Sequence, residues 1–144
     1  MKWYFKKDEH TIAPIDDISQ VPEGAIGFVY MIRWNEDPLA RDRSTDKWYI
    51  GKKSLYSHRT LPPLKGMKRK RKVVKESDWL NYNSSSKVVK EWNEPWKQIL
   101  QFAYTKKELT YLETKLLFAL DALEDPNCVN DNILGKFFRG EHDQ

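Results

Sequence analysis

One long amphipathic helix in the second half of the chain limits the possible folds more than any other feature. Its apolar positions repeat at helical spacing through Leu109, Leu112, Leu116, Leu120 and Leu123. Thr105 and Glu108 form the T-x-x-E pattern of a helix start, and Asp125 with Pro126 ends the periodic segment. We therefore predict a helix that runs to about Leu123, against which the rest of the chain packs.

Three short runs of β-forming residues precede this helix. Ile26–Arg33 is nearly continuously apolar, as in a central strand, and Lys47–Gly51 follows it beyond the polar stretch 34–46. These two strands are predicted to pair as a hairpin around a long loop. Trp96–Tyr104 alternates at period two, which predicts a third strand with one face formed by Trp96, Leu100, Phe102 and Tyr104.

Two shorter helices are predicted between these strands. Ser54–Thr60 is interpreted as a short helix stopped by Pro62 and Pro63, and Lys87–Trp92 as another ended by Pro95. The resulting order is β-β-α-β-α after an N-terminal extension. It predicts an α+β fold in which a small three-stranded, mostly antiparallel sheet is flanked by helices.

The composition indicates one globular domain, which we place at 1–144 with its core at about 26–135. Hydrophobic residues make up 40% of the chain and charged residues 32%. Cys128 is the single cysteine, which excludes an internal disulfide and a cysteine-based zinc site. The N-terminus has no long apolar run, and no segment reaches the length of a membrane span. We expect no signal peptide, no membrane association and a cytoplasmic location.

A strongly basic segment covers residues 65–75. The sequence KGMKRKRKVVK has no carboxylate, and its seven cations are Lys65, Lys68, Arg69, Lys70, Arg71, Lys72 and Lys75. Such a concentration of charge is typical of a surface that binds nucleic-acid phosphates. Two other interpretations stay open, namely a solvated flexible loop and a nuclear localisation signal.

Glu113 is the most informative single position. It lies four residues after Leu109 and three before Leu116, so the predicted helix places it on the apolar face. An ionised carboxylate there is costly unless it meets a cation or a metal. Glu113 is therefore either a helix-edge glutamate that reaches solvent beside Lys106 or Lys115, or a metal ligand in the wall of a cleft.

Two tyrosines, Tyr30 and Tyr49, lie on adjacent predicted strands. Either one alone is more simply a core residue. Gly51 would let another backbone or a phosphate approach closely. Positive charge then follows at Lys52, Lys53 and Arg59. On the predicted short helix, Arg59 would project toward the same end of the sheet.

Together these motifs resemble the catalytic core of the GIY-YIG nuclease family. GFVY is followed by WYIGKK, and an arginine lies eight residues beyond the glycine of YIG. In that family a glutamate follows on a later helix and an asparagine in the C-terminal segment, like Glu113 in YLETKLLF and Asn130 in VNDNILG. The resemblance covers about 26–135. It extends to the stand-alone phage endonucleases of the family through the segments YIGKKSL, VVKESDW and SSK.

The chain also departs from the family pattern. Phe28 replaces the first glycine of GIY, the hairpin loop is longer than usual, and Pro63 stands where some relatives carry another tyrosine. Asn130 and Asn132 both fit the C-terminal asparagine. Asn130 is preferred because the family has an apolar residue, then asparagine, then a glycine soon after.

The resemblance implies a DNA endonuclease that hydrolyses phosphodiester bonds with one Mg²⁺ or Mn²⁺ ion and leaves 5′-phosphate and 3′-hydroxyl ends. Glu113 would hold the ion and Arg59 the phosphate, with Asn130 also in the site. Tyr30 would orient or deprotonate the attacking water, supported by Tyr49 and Lys52. A tyrosine base requires a lowered pKa, and Lys52, Arg59 and a metal-bound water are the groups able to lower it.

The expected partner is double-stranded DNA, contacted by Lys53 and the basic segment. The protein would be a monomer or a weak homodimer, in the cytoplasm of a bacterial host if it is phage-encoded. The alternatives are a non-catalytic nucleic-acid-binding protein that retains the fold, and a structural protein whose aromatic residues all belong to the core. The retained Tyr, Tyr, Arg and Glu set favours the enzyme.

Overall fold

A mixed five-stranded sheet forms the centre of the computed structural model, which describes residues 2–140. In chain order the strands are β1 (Trp3–Lys6), β2 (Ile12–Ile15), β3 (Gly27–Trp34), β4 (Lys47–Ser54), β5 (Tyr56–Leu61), β6 (Arg71–Glu76), β7 (Trp96–Ala103), β8 (Asn132–Ile133) and β9 (Phe137–Phe138). The helices are α1 (Lys87–Lys90) and α2 (Lys106–Ala119), with 3-10 turns at Ile18–Gln20, Arg43–Thr45 and Trp79–Asn81.

The central sheet has the order β2-β1-β7-β3-β4. The predicted hairpin is confirmed, since β3 and β4 pair antiparallel over their whole length, and β7 lies antiparallel on the other side of β3. The α+β class is also confirmed. The predicted number of three strands is wrong, because the N-terminal segment adds β1 parallel to β7 and β2 antiparallel to β1. Each added strand has only four residues, too few for a clear periodic signal.

A β-bulge in β7 changes which of its residues share a face. Tyr30 pairs with Ile99 and Val29 with Gln101, so Leu100 is the extra residue. Leu100 therefore packs on the α2 side of the sheet, whereas Phe102 packs on the opposite side. The prediction that Leu100 and Phe102 share a face is wrong, because strict alternation does not hold across a bulge.

The predicted helix over 54–60 is also wrong. Ser54 is the last residue of β4, and Tyr56–Leu61 form β5. Within residues 2–140, β5 pairs only with β6, as a two-stranded hairpin outside the central sheet. Residues 56–61 are extended because they pair with β6. Val73 and Val74 of β6 favour extended backbone. The basic segment is accordingly part turn and part strand.

Helix α2 starts as predicted. Thr105 is its N-cap, and the Thr105 hydroxyl accepts a hydrogen bond from the Glu108 amide at 3.0 Å. The Glu108 carboxylate bonds the Tyr104 amide, one residue before the cap. The helix ends at Ala119 and not near Leu123, and a left-handed residue, Asp121, follows it. The predicted helix over 87–92 is confirmed as the short α1.

The two faces of the sheet carry separate hydrophobic clusters. One cluster includes Trp3, Phe28, Tyr30 and Trp79. The other lies beneath α2 and includes Val29, Ile50, Leu109, Leu117 and the predicted tail residue Ile133. Among residues 2–140, no helix is long and apolar enough to cross a membrane.

Candidate active site

An open cleft of about 640 Å³ lies along the outer edge of β4. Its walls come from β4, from the segment before α1, from α2 and from the C-terminal segment 129–134. Four of the six predicted catalytic residues line this cleft, namely Tyr49, Lys52, Glu113 and Asn130. The fold thus collects residues that are up to 81 positions apart in the sequence, from Tyr49 to Asn130.

Glu113 projects from α2 into the cleft and is half-buried. Burial raises the pKa of its carboxyl group, and the positive charge of Lys52 opposes this rise. Lys52 is held against the same helix, because its Nζ donates to the Thr110 hydroxyl at 2.9 Å. Thr110 lies one turn before Glu113 on α2, so the Lys52 ammonium and the Glu113 carboxylate lie on the same side of the helix in the cleft.

The donor set fits a single hard cation that keeps water and phosphate ligands. Among residues 2–140 there is no group of three or more His, Cys, Asp or Glu side chains suited to hold a metal. Glu113 is joined by Asp131, an exposed carboxylate in the lining that sequence reasoning missed. Mg²⁺ is commonly bound by one or two carboxylates, with substrate phosphates and waters as further ligands. This cleft is suited to that mode of binding.

Tyr30 lies beneath the cleft and is only 1% exposed. Its ring packs 6.2 Å from the ring of Tyr49, and its hydroxyl forms hydrogen bonds with Ser84 and Tyr82. Burial raises the pKa of Tyr30 well above its usual value, with smaller contributions from the two neighbouring tyrosines. The expectation that Lys52 and Arg59 lower this pKa is wrong, because burial is the largest effect and Lys52 points to the other face of the sheet, toward α2.

Gly51 is the register partner of Tyr30. A Cβ at this position would overlap the Tyr30 hydroxyl and lie 2.5 Å from the Tyr30 Cζ. The sequence suggested that Gly51 leaves room for a backbone or a phosphate. In the structure the Tyr30 ring occupies that space. Gly51 therefore makes room for Tyr30, and Tyr49 in turn packs against the Tyr30 ring.

Asn130 has a positioning role at the edge of β4. Its Nδ2 donates to the Ile50 carbonyl at 2.8 Å, and its Oδ1 accepts from the Ile50 amide at 3.0 Å. The side chain therefore substitutes for a neighbouring strand. Asn132 also lines the cleft, and its Oδ1 accepts from the Gly135 amide. The C-terminal segment is thus held against the strand that carries Tyr49 and Lys52.

Arg139 organises the same C-terminal segment, and sequence reasoning missed it. Its half-buried guanidinium donates at 2.7–3.2 Å to the carbonyl oxygens of Ala122, Leu123, Asp125, Cys128 and Asn130. A planar group with five donors suits such a ring of carbonyls. No sequence motif signals this role, because all the partners are backbone atoms.

We expect Arg139→Ala to lower the free energy of unfolding by about 2 kcal/mol or more, since several buried carbonyls would lose a charged donor. Arg139→Lys keeps the charge but cannot span the ring, so it should lose most of the same stability. Urea unfolding measures both variants, with the exposed Lys136→Ala as the matched control. If Arg139→Lys is as stable as the wild type, the charge alone matters and the ring of carbonyls does not.

The wall opposite α2 comes from residues 85–88, a segment outside the predicted site, and residues 83 and 84 lie directly before it. Ser84 is buried at a φ of 89°, a strained conformation for serine, and its Oγ accepts from the Ser86 amide. Asn83 accepts a hydrogen bond from Lys97, which is fully buried with its Nζ over the Trp3 ring. Burial lowers the pKa of Lys97 to about 8. The SSSK sequence before a helix was the available signal for this wall.

Arg59 lies outside the cleft. It is exposed on β5, where it lines a separate hollow with Lys53 and Lys75. Lys53 bonds Asp78 at 2.6 Å and lies over the Tyr82 ring. The other predicted DNA-binding residues are exposed, and they lie on β6 and on the turn before it. The structure therefore separates these cations from the residues around Glu113.

Another cleft, of about 580 Å³, surrounds the C-terminal end of β3. None of the predicted site residues lines it. Its buried carboxylate, Asp46, accepts a hydrogen bond from Asn35 and pairs with Arg43 at 3.6 Å. These contacts stabilise the long loop between β3 and β4.

The family comparison agrees with the resemblance of the motifs. A family model described as "Putative endonuclease segE, GIY-YIG domain" matches residues 3–133, nearly the whole chain. No curated protein and no solved structure matches the chain. The matched range contains all five strands of the central sheet, α2 and every predicted site residue. The chain therefore belongs to the GIY-YIG endonuclease domain family, in its segE-type branch.

Proposed function

We propose that this protein is a DNA endonuclease that hydrolyses phosphodiester bonds with one divalent ion, Mg²⁺ or Mn²⁺. The products would carry 5′-phosphate and 3′-hydroxyl ends. The observation that carries this proposal is one open cleft that unites Glu113, Lys52 and Tyr49 in a chain of the GIY-YIG family. The substrate is double-stranded DNA.

Glu113 is the residue that would hold the ion. Its carboxylate is destabilised by burial in the free protein, so a bound cation would relieve part of that cost. The ion, when bound, would polarise the scissile phosphate and stabilise the leaving oxygen. Lys52 adds a fixed positive charge for the phosphoryl oxygens, because its bond to Thr110 orients its ammonium group.

Tyr49, which lines the cleft, is the tyrosine that would orient the attacking water. Tyr30 supports the Tyr49 ring from beneath and is not suited to be a base, because burial raises its pKa. Asn130 holds β4 in place through the Ile50 backbone. This assignment moves the water-positioning role from Tyr30 to Tyr49, and it leaves Arg59 outside the chemistry.

We expect Tyr49→Phe to slow single-turnover cleavage of a labelled duplex by about 10²-fold, the usual effect of losing a positioned hydroxyl. Tyr30→Phe should slow it by less than about tenfold, because the Tyr30 hydroxyl bonds the protein interior. The two variants are matched, since each keeps its ring and loses one oxygen. The reverse order of effects would restore Tyr30 as the residue that contacts water.

The chemistry of the product ends tests the proposed reaction. Hydrolysis with a leaving 3′-oxygen gives 5′-phosphate and 3′-hydroxyl ends, which DNA ligase rejoins without further treatment. Nicked plasmid that is resealed by ligase alone would support the proposal. A requirement for removal of a 3′-phosphate would contradict it, and binding without any cleavage would favour a non-catalytic DNA-binding protein.

A further inference from the structure

The hairpin of β5, β6 and the turn between them, residues 56–76, is the part of the molecule that the proposed chemistry does not use. We call it the basic hairpin. In the part of the chain that the structure describes, its strands pair only with each other, and most of its side chains are exposed on both faces. Residues 57–75 contain eight Lys or Arg residues and no carboxylate.

Such a hairpin is poorly stabilised on its own. A two-stranded hairpin is marginal in water, and here many positive charges are concentrated on a short segment with no carboxylate between residues 57 and 75. Val73 and Val74 are 38% and 59% exposed in its middle. Negative charge and apolar contacts from a partner would therefore both stabilise it, and duplex DNA offers phosphates along with thymine methyl groups.

We propose that the basic hairpin enters the major groove of the duplex DNA that the protein cleaves, with Arg59 and Arg71 turned toward the base edges. This inference rests on the proposed function for the choice of DNA. It assigns contact with the bases to Arg59 and Arg71, while the other basic residues keep a general attraction for phosphate.

The pairing register divides the hairpin into two different faces. Arg59 lies opposite Val73, Leu61 opposite Arg71, and Ser57 opposite Lys75. Side chains alternate along a strand, so these three pairs share one face, which we call the arginine face. The opposite face carries the pairs Tyr56–Glu76, His58–Val74 and Thr60–Lys72.

The base of the opposite face is engaged by the body of the protein. Tyr56 packs against the hydrophobic core, and Glu76 accepts a hydrogen bond from the Trp79 indole at 2.8 Å. Arg59 and Lys75 of the arginine face border an open hollow of about 550 Å³, which Tyr56, Glu76 and Asp78 also line. The arginine face carries Arg59, Arg71 and Lys75, whereas the only Lys or Arg of the strands β5 and β6 on the opposite face is Lys72. The arginine face is therefore better suited by its charge to receive a nucleic acid.

One end of the Arg71 guanidinium is held by the hairpin itself. Its Nε donates to the Pro62 carbonyl at 3.2 Å, which restrains the side chain of this exposed residue. Within residues 2–140, its two Nη groups have no hydrogen-bond partner of their own. A guanidinium that is restrained at Nε and has two available nitrogens matches the O6 and N7 acceptors of guanine in the major groove.

The dimensions favour the major groove of B-form DNA. Six residues per strand extend about 20 Å, and the two strands lie about 4.8 Å apart. The major groove is about 12 Å wide and accepts a two-stranded ribbon, whereas the minor groove is about 6 Å wide. The major groove of A-form RNA is deep and narrow, which excludes double-stranded RNA.

The test measures guanine N7 protection from dimethyl sulfate, because N7 lies in the major groove. The probe is a duplex selected from a random library by the Glu113→Gln protein, so that cleavage does not interfere. Bound protein should protect N7 of at least one guanine. Arg71→Ala and Arg71→Lys should remove that protection and lower the affinity ratio of selected to scrambled duplex about tenfold.

Lys72→Ala is the matched control, because Lys72 neighbours Arg71 in sequence but lies on the opposite face. It should weaken both duplexes equally and leave the ratio unchanged. Absence of N7 protection, equal effects of Arg71→Ala and Lys72→Ala on the ratio, or equal affinity for double-stranded RNA would each overturn the inference.

Cleavage of plasmid by the wild-type protein, measured in parallel, keeps the two proposals separate. Cleavage without N7 protection would overturn the major-groove inference and leave the nuclease. N7 protection without cleavage in Mg²⁺ or Mn²⁺ would overturn the nuclease and leave the hairpin as a DNA-binding element.

Discussion

Replacement of Glu113 by glutamine is expected to lower DNA cleavage by about 10³-fold or more while DNA binding is retained. The change keeps the size of the side chain but removes the negative charge that a hard divalent cation requires. A bound metal contributes several kcal/mol to the transition state, which corresponds to a rate effect of this size. Cleavage is measured in Mg²⁺, and binding in EDTA.

Stability and pH give this variant two further readouts. Burial raises the pKa of Glu113, so the ionised form destabilises the fold at neutral pH and the glutamine variant should unfold at an equal or higher temperature. For the same reason, wild-type cleavage should be lost as the pH is lowered, and the loss should begin at a higher pH than a glutamate with the ordinary pKa of 4.5 would give. Lys52 limits the size of this shift.

Asp131→Asn is the matched control, because it removes one negative charge from the same cleft. It should leave cleavage within about tenfold of the wild type, since an exposed carboxylate at this position adds less to the metal site. If Asp131→Asn lost activity and Glu113→Gln retained it, Asp131 and not Glu113 would be the metal ligand.

Gly51→Ala is expected to lower the free energy of unfolding by about 3 kcal/mol or more. The added methyl group would overlap the hydroxyl and ring of Tyr30, which is rigid and fully buried. Overpacking of a core usually costs about 1–3 kcal/mol, and here the ring has no free space to move into. Chemical denaturation measures the loss, and cleavage should fall with it because Tyr49 packs on the same ring.

A double-mutant cycle identifies the cause. In a Tyr30→Leu background the obstructing ring is absent, so the cost of Gly51→Ala should fall by more than half. An unchanged cost in that background would mean that Gly51 is needed for its backbone and not for the Tyr30 ring.

The elements with strong local signals could be predicted from the sequence. The strand β3 is predictable from its consecutive apolar residues, and the helix α2 from its capping pattern and the helical spacing of its leucines. The strand β5 has no such local signal, because its structure depends on pairing with β6, ten or more residues later. Likewise, the bulge at Leu100 depends on β3 and leaves no trace in the alternation of β7.

In the candidate site, too, some residues could be predicted from the sequence, whereas others depend on contacts with distant segments. Tyr49, Lys52 and Glu113 were predicted to act together, and the structure brings them into one cleft. Arg59 was assigned by its distance from Gly51 in the sequence, which does not determine its position once a hairpin replaces a helix. Arg139 could not be found, because its partners are backbone carbonyls gathered by the fold.

The most direct test of the account is cleavage of supercoiled plasmid by the purified wild-type protein with Mg²⁺, with EDTA, and with Mg²⁺ restored after EDTA. We predict cleavage in the first condition, none in the second, and recovery in the third, because the cleft has a single half-buried carboxylate to hold a hard cation. Cleavage that persists in EDTA, or no cleavage with either Mg²⁺ or Mn²⁺, would contradict the assignment of a metal-dependent endonuclease.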